Sequence, residues 1–200
     1  MKTILPLPLL ALALSSCTYT KETVPARSAS EEMLISTAAD RAADKLAADL
    51  TAGGSIYLDT SYFDTPDGKY ALGSIRAAIA RRGTKIVADR AKADRVVEIR
   101  AGTLSVDQNT FLIGIPEVTL PIPLAGAATV PELALYSFHD DQGVAKFAAT
   151  EFTEKDGALV VAPEPDYAYS HNEKRTVLVF IRWSHQDFLD KKDEDPEDRK

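Results

Sequence analysis

The chain has 200 residues, of which 45% are apolar and 26% are charged, and it contains one cysteine. This length suits one domain, and the apolar fraction is high enough to form a buried core, which excludes wholesale disorder. The net charge of -7 argues against binding to a nucleic-acid backbone. The lone cysteine excludes an intramolecular disulfide and any zinc site built from several cysteines.

The first residues have the pattern of a secretory signal. Lys2 is followed by an uncharged, Leu-rich stretch, residues 4–14, which contains two prolines and is too short to cross a bilayer as a helix. The stretch leads into the sequence LSSC at positions 14–17. We predict that residues 1–16 are a signal peptide; the alternative is an ordinary secretory signal followed by a chance cysteine.

The LSSC sequence resembles the lipobox of bacterial lipoproteins, in which an aliphatic residue and two small residues precede the cysteine. The resemblance implies that Cys17 is lipidated, that cleavage occurs before it and that the new amino terminus is acylated. Several acyl chains together anchor a protein stably. In Gram-negative lipoproteins an aspartate after the cysteine is associated with retention at the inner membrane, and Thr18 stands there instead. The resemblance therefore implies an outer-membrane lipoprotein, lipid-anchored and facing the periplasm.

Composition divides the rest of the chain into three segments. Residues 17–29 are predicted to be a lipidated tether, because they contain few large apolar side chains. Residues 30–186 are predicted to form a single domain. Residues 187–200 are mostly charged and are predicted to be a flexible tail.

Two helices are predicted in the first half of the domain. Ser28 and Glu31 have the spacing of a capping box, and small or aliphatic residues recur every three or four positions as far as Leu50. Residues 70–82 have a similar apolar periodicity, which ends before Gly83.

The remaining segments are predicted to be strands, turns and loops. A turn is expected at residues 140–143, a loop at 163–172, and a central strand at the strongly apolar segment 175–184. β-forming residues predict the other strands over residues 55–62, 84–88, 95–106, 132–139, 144–152 and 158–162. This order predicts an α+β (mixed α/β) fold, with two helices packed on one face of a mixed, largely antiparallel sheet.

The stretch at residues 111–135 is unusual because it has four prolines and only two charges. In it, Leu120, Ile122 and Leu124 alternate with prolines, which excludes a membrane helix and predicts an edge strand or an extended segment. Two uses remain open. The stretch is either a crossover that closes the core over an open sheet face, or an exposed apolar arm that contacts a protein partner, a second copy or lipid headgroups.

No nucleotide-binding or catalytic motif occurs, and the three histidines lack the spacing of metal ligands. We therefore expect no cofactor, no metal and no catalytic residue.

Asp59, at the end of a predicted strand, and Asp64 just after it are the best candidates for a ligand site, because ligands often bind at the carboxyl ends of strands. The alternative is that both carboxylates make local turns. An envelope hydrolase or ligand-binding enzyme that uses Asp59, Asp64 and His171 is accordingly our second hypothesis.

The layout of about residues 30–106, with the segments SIYLDTSYF, GSIRAAIARRG and ADRVVEIRAG, resembles small periplasmic α/β modules. Such modules occur in curli-secretion lipoproteins, in lipoprotein activators of cell-wall synthases, in exopolysaccharide-secretion lipoproteins and in the amino-terminal domain of the Tol-Pal translocation protein. The remainder resembles bacterial lipoproteins of unknown function.

These resemblances imply a non-enzymatic binding or assembly module in envelope biogenesis or secretion, because the families named act by binding and assembly. The membrane is the first expected partner, through Cys17. A protein partner, or self-association through residues 111–135, is the second. A subunit of a homo-oligomeric secretion assembly is a further alternative.

Overall fold

A computed structural model describes residues 27–122 and 126–188. Within these residues there are two α-helices, α1 (Ala29–Asp49) and α2 (Gly68–Arg81), and one 3-10 turn, Arg90–Lys92. The strands are β1 (Ser55–Tyr62), β2 (Lys85–Val87), β3 (Arg95–Ile115), β4 (Val118–Ile122), β5 (Gly126–Val130), β6 (Leu133–Thr153), β7 (Leu159–Val161), β8 (Asp166–Val177) and β9 (Ile181–Gln186).

Seven of these strands form one mixed sheet in the order β2-β1-β3-β6-β8-β9, with β7 paired to one end of β6. Strand β1 pairs in parallel with β2 and with β3, and the other pairs of this sheet are antiparallel. Strands β4 and β5 form a separate antiparallel hairpin. The predicted α+β fold, with two helices and a mixed, largely antiparallel sheet, is confirmed.

Helix α1 begins at the predicted capping box. The backbone N–H of Glu31 donates to Ser28 Oγ at 3.2 Å, and the backbone N–H of Ser28 donates to Glu31 Oε2 at 2.8 Å. Its buried residues are Leu34, Ile35, Ala38, Ala39, Ala42, Ala43, Leu46 and Ala47. Because most of them are alanines, the helix axis can lie close to the sheet.

Gly143 is a point of close approach between α1 and the sheet. A Cβ atom at this position would lie 2.5 Å from the carbonyl oxygen of Leu34, and Ser170 Oγ donates a hydrogen bond of 2.7 Å to the same oxygen. The turn predicted at residues 140–143 is therefore wrong, since residues 133–153 form one continuous strand. The glycine makes room for the helix and does not form a turn.

Two further secondary-structure predictions are wrong, one for a loop and one for a strand. Residues 163–172 were expected to form a loop, but most of them belong to β8. The segment 175–184 is not one central strand, because the chain reverses direction between β8 and β9 and places β9 at the edge of the sheet. Leu178 and Val179, at this turn, have φ angles of 52° and 72°. Left-handed backbone at such bulky residues is uncommon, so their side chains carry no turn signal.

A buried ion pair fixes the end of the sheet at which β3 starts. The guanidinium of Arg95 pairs with the carboxylate of Glu151, and these side chains are 11% and 0% exposed. Glu151 also accepts a hydrogen bond from the backbone N–H of Thr51 at 3.1 Å, and Arg95 donates to the carbonyl oxygen of Thr51 at 3.0 Å. These contacts join the chain after α1 to both long strands of the sheet.

Strands β3 and β6 are much longer than the helix that covers them. Each contains 21 residues, which corresponds to about 70 Å of strand. Helix α1 also has 21 residues but spans only about 31 Å. It begins next to Val106, with which Arg27 and Glu31 line a small cleft, and the chain that leaves it reaches Glu151 near the other end of β6.

Part of the sheet therefore extends beyond the helices. We call this part the distal sheet; it consists of residues 107–115, 133–142, 171–177 and 181–186. The remainder, next to the helices, is the proximal sheet.

The Gly143→Val variant is expected to be less stable by about 1–3 kcal/mol, because the added side chain must push α1 away from β6. Urea unfolding followed by circular dichroism measures the change. Gly73→Ala is the matched control: nothing lies within 4 Å of a Cβ added there, and alanine favours a helix by about 0.5–1 kcal/mol over glycine. Unchanged stability of Gly143→Val would contradict the close approach of Leu34.

Candidate functional site

Two of the residues predicted to have a functional role, Cys17 and Leu124, lie outside the described residues, so lipidation of Cys17 stays a prediction. Leu120 lies in β4, and 50% of its surface is exposed. The backbone of Ile122 pairs with that of Gly126 across the β4–β5 hairpin. Leu120 is thus outside the hydrophobic core, on a two-stranded hairpin that joins the far ends of β3 and β6.

The carboxylate of Asp59 is hydrogen-bonded to a neighbouring residue of the same strand. Its carboxylate accepts hydrogen bonds from the hydroxyl of Ser61 at 2.6 Å and from the backbone N–H of Ser61 at 3.0 Å. These two hydrogen bonds hold the pKa of Asp59 below its ordinary value of 3.8. The local-turn alternative therefore describes the surroundings of Asp59, and Asp64 is exposed.

The structure does not bring His171 to these carboxylates. His171 lies on β8, where its Nδ1 is 3.4 Å from the carboxylate of Asp140. Strands β1 and β8 are separated by β3 and β6, which places Asp59 and His171 at least about 14 Å apart. In the ranges that the structure describes, no group of three or more histidine, cysteine or acidic side chains could hold a metal ion.

The proximal sheet has the usual arrangement for a sheet with helices on one face. Side chains alternate along β3 apart from a bulge at Gly102, so Val97, Ile99 and Leu104 all face the helices and are buried. On the opposite face Arg100 lies 3.2 Å from Thr150 Oγ1 and 3.7 Å from the carboxylate of Glu98. Towards the helices the proximal sheet is thus apolar, and its other face mixes these polar residues with apolar ones, among them Val96, Phe152 and Leu159.

On the face opposite the helices, the two rows of the distal sheet nearest its tip are mainly apolar. The strand register puts Ile113, Tyr136, Val177 and Ile181 in one row across the sheet, and Phe111, Phe138, Arg175 and Trp183 in the next row. We call the apolar members of these rows the apolar patch: Phe111, Ile113, Tyr136, Phe138, Val177, Ile181 and Trp183. Exposed fractions are 55% for Phe111, 51% for Ile113, 47% for Ile181 and 48% for Trp183.

Side chains within the apolar patch contact one another. The ring centroids of Phe111 and Tyr136 are 6.1 Å apart, and the guanidinium of Arg175 lies 5.1 Å from the centre of the Phe138 ring. Such aromatic and cation–π contacts keep large side chains on the surface in a defined arrangement. The patch is therefore a structured surface rather than a set of isolated exposed residues.

The other face of the distal sheet is mainly polar. His139, Lys174 and Ser184 form one row there, and Thr176 lies beside Arg182 in the next. These residues line part of a cleft of about 790 Å³. The distal sheet is amphipathic, with its apolar face turned away from the helix side.

Both edges of the distal sheet lack a partner strand among the residues described. Strand β1 pairs with β3 only as far as Arg100, and β9 is the last strand of the sheet. Residues 105–113 contain no proline or lysine and one charge, Asp107, and β9 also has one formal charge, Arg182. Proteins usually protect exposed edges with lysine, proline or bulges, and these two edges have little of that protection.

Sequence reasoning found part of this surface. It singled out residues 111–135 as an unusual apolar stretch and left open whether they are buried or exposed, and it did not include Tyr136, Phe138 or β9. A signal for β9 was present, since the segment 177–183 is almost entirely apolar; it was interpreted as a buried central strand. Because residues 107–110 are polar, the predicted strand ended at residue 106, whereas β3 continues to Ile115.

Comparison with known proteins finds one family model that matches residues 11–160, that of a family of unknown function (DUF6655). The matched segment includes Cys17 and strands β1 to β6. No curated protein matches the chain. No helix in residues 27–122 and 126–188 is long and apolar enough to cross a membrane.

The Asp59→Asn variant is expected to unfold at lower urea concentration than the wild type at pH 7, because a carboxylate accepts stronger hydrogen bonds than an amide. Folding lowers the pKa of Asp59. Its stabilising effect is therefore present above the unfolded value of 3.8 and is lost as the pH falls through the lower pKa of the folded chain.

The urea midpoints of Asp59→Asn and the wild type should accordingly converge in acid. Asp64→Asn, at an exposed position, is the matched control and should differ little from the wild type at any pH. A difference for Asp59→Asn that persists unchanged in acid would contradict the role assigned to Ser61.

Proposed function

The chain belongs to DUF6655, a family of unknown function, and we propose that it is a lipid-anchored binding or assembly module. In this proposal it faces the periplasm from the outer membrane and takes part in envelope biogenesis or secretion. The observation that carries the proposal is the apolar patch of the distal sheet. Contiguous exposed apolar surface of this kind is typical of a contact surface in folded proteins.

The position of the amino-terminal end of the domain supports this proposal. Helix α1 begins beside Val106, at the root of the distal sheet. From Cys17 to Arg27 the chain spans at most about 35 Å, and residues 106–115 of β3 extend about 30 Å. A lipid on Cys17 therefore favours an orientation in which the distal sheet lies towards the membrane and the proximal sheet lies away from it.

The surroundings of the acidic residues favour a binding module over an enzyme. Asp59 is held by Ser61 at 2.6 and 3.0 Å, and His171 lies three strands away from it. A general base must reach the proton that it removes within hydrogen-bonding distance. The enzyme hypothesis based on Asp59, Asp64 and His171 thus lacks a shared site.

A homo-oligomeric assembly is the second candidate function, and the two open edges of the distal sheet favour it. An exposed strand edge presents unpaired N–H and C=O groups that another strand can bind. A second copy would offer strands of matching length and direction. The apolar patch lies between the two edges, so one contact surface serves a protein partner or further copies.

The Cys17→Ala variant is expected to leave the membrane fraction, because without the thiol no lipid can be attached. Fractionation of cells that express the full chain, followed by immunoblotting, measures its distribution. Thr18→Asp is the matched control and is expected to stay membrane-bound while shifting to the inner membrane. Sedimentation of Cys17→Ala with outer membranes would contradict the anchor.

The Phe111→Ser/Trp183→Ser double variant is expected to lose association while keeping its stability within about 0.5 kcal/mol, since surface substitutions have small effects. Native gel electrophoresis of envelope extracts shows whether the chain migrates in a species larger than the monomer. Tyr62→Ser, at a residue that is 64% exposed on the proximal sheet, is the control. A large species that survives the double variant would argue against the apolar patch as a contact surface.

A further inference from the structure

We propose that the end of the distal sheet inserts into the surface of an anionic phospholipid bilayer and makes a second contact with the membrane beside the anchor. We call this end the apolar tip; it consists of the β8–β9 turn and the adjoining residue of β6, namely Leu135, Leu178, Val179 and Phe180. The inference deepens the proposed function, and it rests on that function for the orientation of the chain towards the membrane.

The apolar tip is exposed but fixed to the sheet. The backbone N–H of Leu178 donates to the carbonyl oxygen of Leu135 at 2.9 Å, and that of Val179 donates to the carbonyl oxygen of Ala134 at 2.8 Å. The exposed fractions are 59% for Leu135, 53% for Leu178, 39% for Val179 and 78% for Phe180. A projecting group of exposed apolar side chains is typical of a site of protein or membrane contact.

The formal charges next to the apolar tip are all positive on the four strands of the distal sheet. From the row of His139 and Lys174 onwards, these strands and the β8–β9 turn comprise residues 110–115, 133–139 and 174–184. They contain no aspartate or glutamate, and their cations are Lys174, Arg175 and Arg182. Because Arg175 pairs with Glu173 at 2.9 Å, the exposed Lys174 and Arg182 are the cations open to headgroup phosphates.

Two glutamates flank the β4–β5 hairpin, which is joined to the same end of the sheet. Glu117 precedes β4, and Glu132 follows β5. The carboxylate of Glu132 lies 3.9 Å from Nε2 of His139, beside the cleft on the polar face. It therefore offsets part of the positive charge at the cleft without lying among the apolar side chains of the tip.

The spacing of apolar, aromatic and basic side chains matches the layers of a bilayer surface. Arg182 stands two residues from Phe180, or about 7 Å along the strand, and the headgroup layer is about 5–8 Å thick. With Phe180 at the hydrocarbon boundary, Arg182 therefore lies at the level of the phosphates. Trp183 and Tyr136 lie near the same level, where tryptophan and tyrosine are enriched in membrane proteins.

The tether allows the apolar tip to reach the membrane that holds the anchor. A lipid on Cys17 keeps Arg27 within about 35 Å of the bilayer, and the distal sheet extends about 30 Å from the level of Val106. The charges favour lipid over a second copy as the occupant. Two tips in contact would bring like charges together at Arg182, which is unfavourable, whereas headgroup phosphates complement them.

The test measures whether Trp183, three residues from Phe180, comes close to acyl chains. The wild type is reconstituted into vesicles of phosphatidylcholine and phosphatidylglycerol with brominated acyl chains, which quench tryptophan fluorescence at short range. We expect quenching and a shift of the emission to shorter wavelength. Leu178→Ser/Phe180→Ser is expected to stay anchored but to lose both. Tyr62→Ser/Leu159→Ser, at residues that are 64% and 61% exposed on the proximal sheet, is the matched control and should keep both.

The Cys17→Ala chain, added to the same vesicles, separates failure of the anchor from failure of the tip. Any binding through residues 1–16 is common to all variants of this chain. Lys174→Gln/Arg182→Gln is expected to weaken its binding to vesicles with phosphatidylglycerol by roughly tenfold or more, since each basic residue near an anionic surface adds to the attraction. Binding to pure phosphatidylcholine should not change. Arg76→Gln/Lys85→Gln, at exposed positions away from the tip, is the charge-matched control.

An anchored wild type without quenching would overturn the proposal, as would quenching that persists in Leu178→Ser/Phe180→Ser. If the wild type is not anchored, the Cys17→Ala chain decides alone: quenching that the tip variant loses supports insertion, and its absence overturns it. A short-wavelength emission and a dimeric mass before vesicles are added, both lost in the tip variant, would show that a second copy covers the apolar tip and would also overturn the proposal.

Discussion

The backbone pairing of β3 with β6 runs along 21 residues in each strand, with bulges at Gly102 and Leu135, and the rest of the structure depends on this length. The helices cover only the part of the sheet below Val106 and Gly143. There, α1 packs closely because Gly143 has no side chain and because Ser170 donates to the Leu34 carbonyl oxygen. Beyond that level the strands have no helix to pack against, and side chains of the apolar patch such as Phe111 and Trp183 are exposed.

The apolar patch lies on the part of the sheet that extends beyond the helices, on the face opposite them. Below Val106 the buried face is the one next to the helices, as in any two-layer domain. Above it, the aromatic and aliphatic side chains lie on the opposite face, with Phe111 and Trp183 about half-exposed. Exposed apolar surface of this kind is typical of contact surfaces, and this is the basis of the proposed binding role. Membership of DUF6655 does not indicate a function, because the function of that family is unknown.

Much of the proximal fold follows from local sequence. The capping box of Ser28 and Glu31 and the bounds of β1 are encoded within a few residues, and they were predicted correctly. Gly143 was not, because a glycine that admits a distant helix has the same local signature as a turn after two aspartates. The β8–β9 turn was missed because its left-handed residues are Leu178 and Val179. The apolar patch depends on four strands that are distant in sequence, so only their register brings Phe111 and Trp183 into one row.

The exposure of the apolar patch in the isolated chain is the central claim, and the chain contains a direct probe for it. Trp183 is the single tryptophan, and it lies in the apolar patch with 48% of its surface exposed. Acrylamide quenching of tryptophan fluorescence in dilute, detergent-free Cys17→Ala chain reports its access to solvent. We expect a long-wavelength emission and efficient quenching, close to that of an exposed indole. A short-wavelength emission that resists quenching in this folded, dilute chain would show instead that the apolar patch is covered.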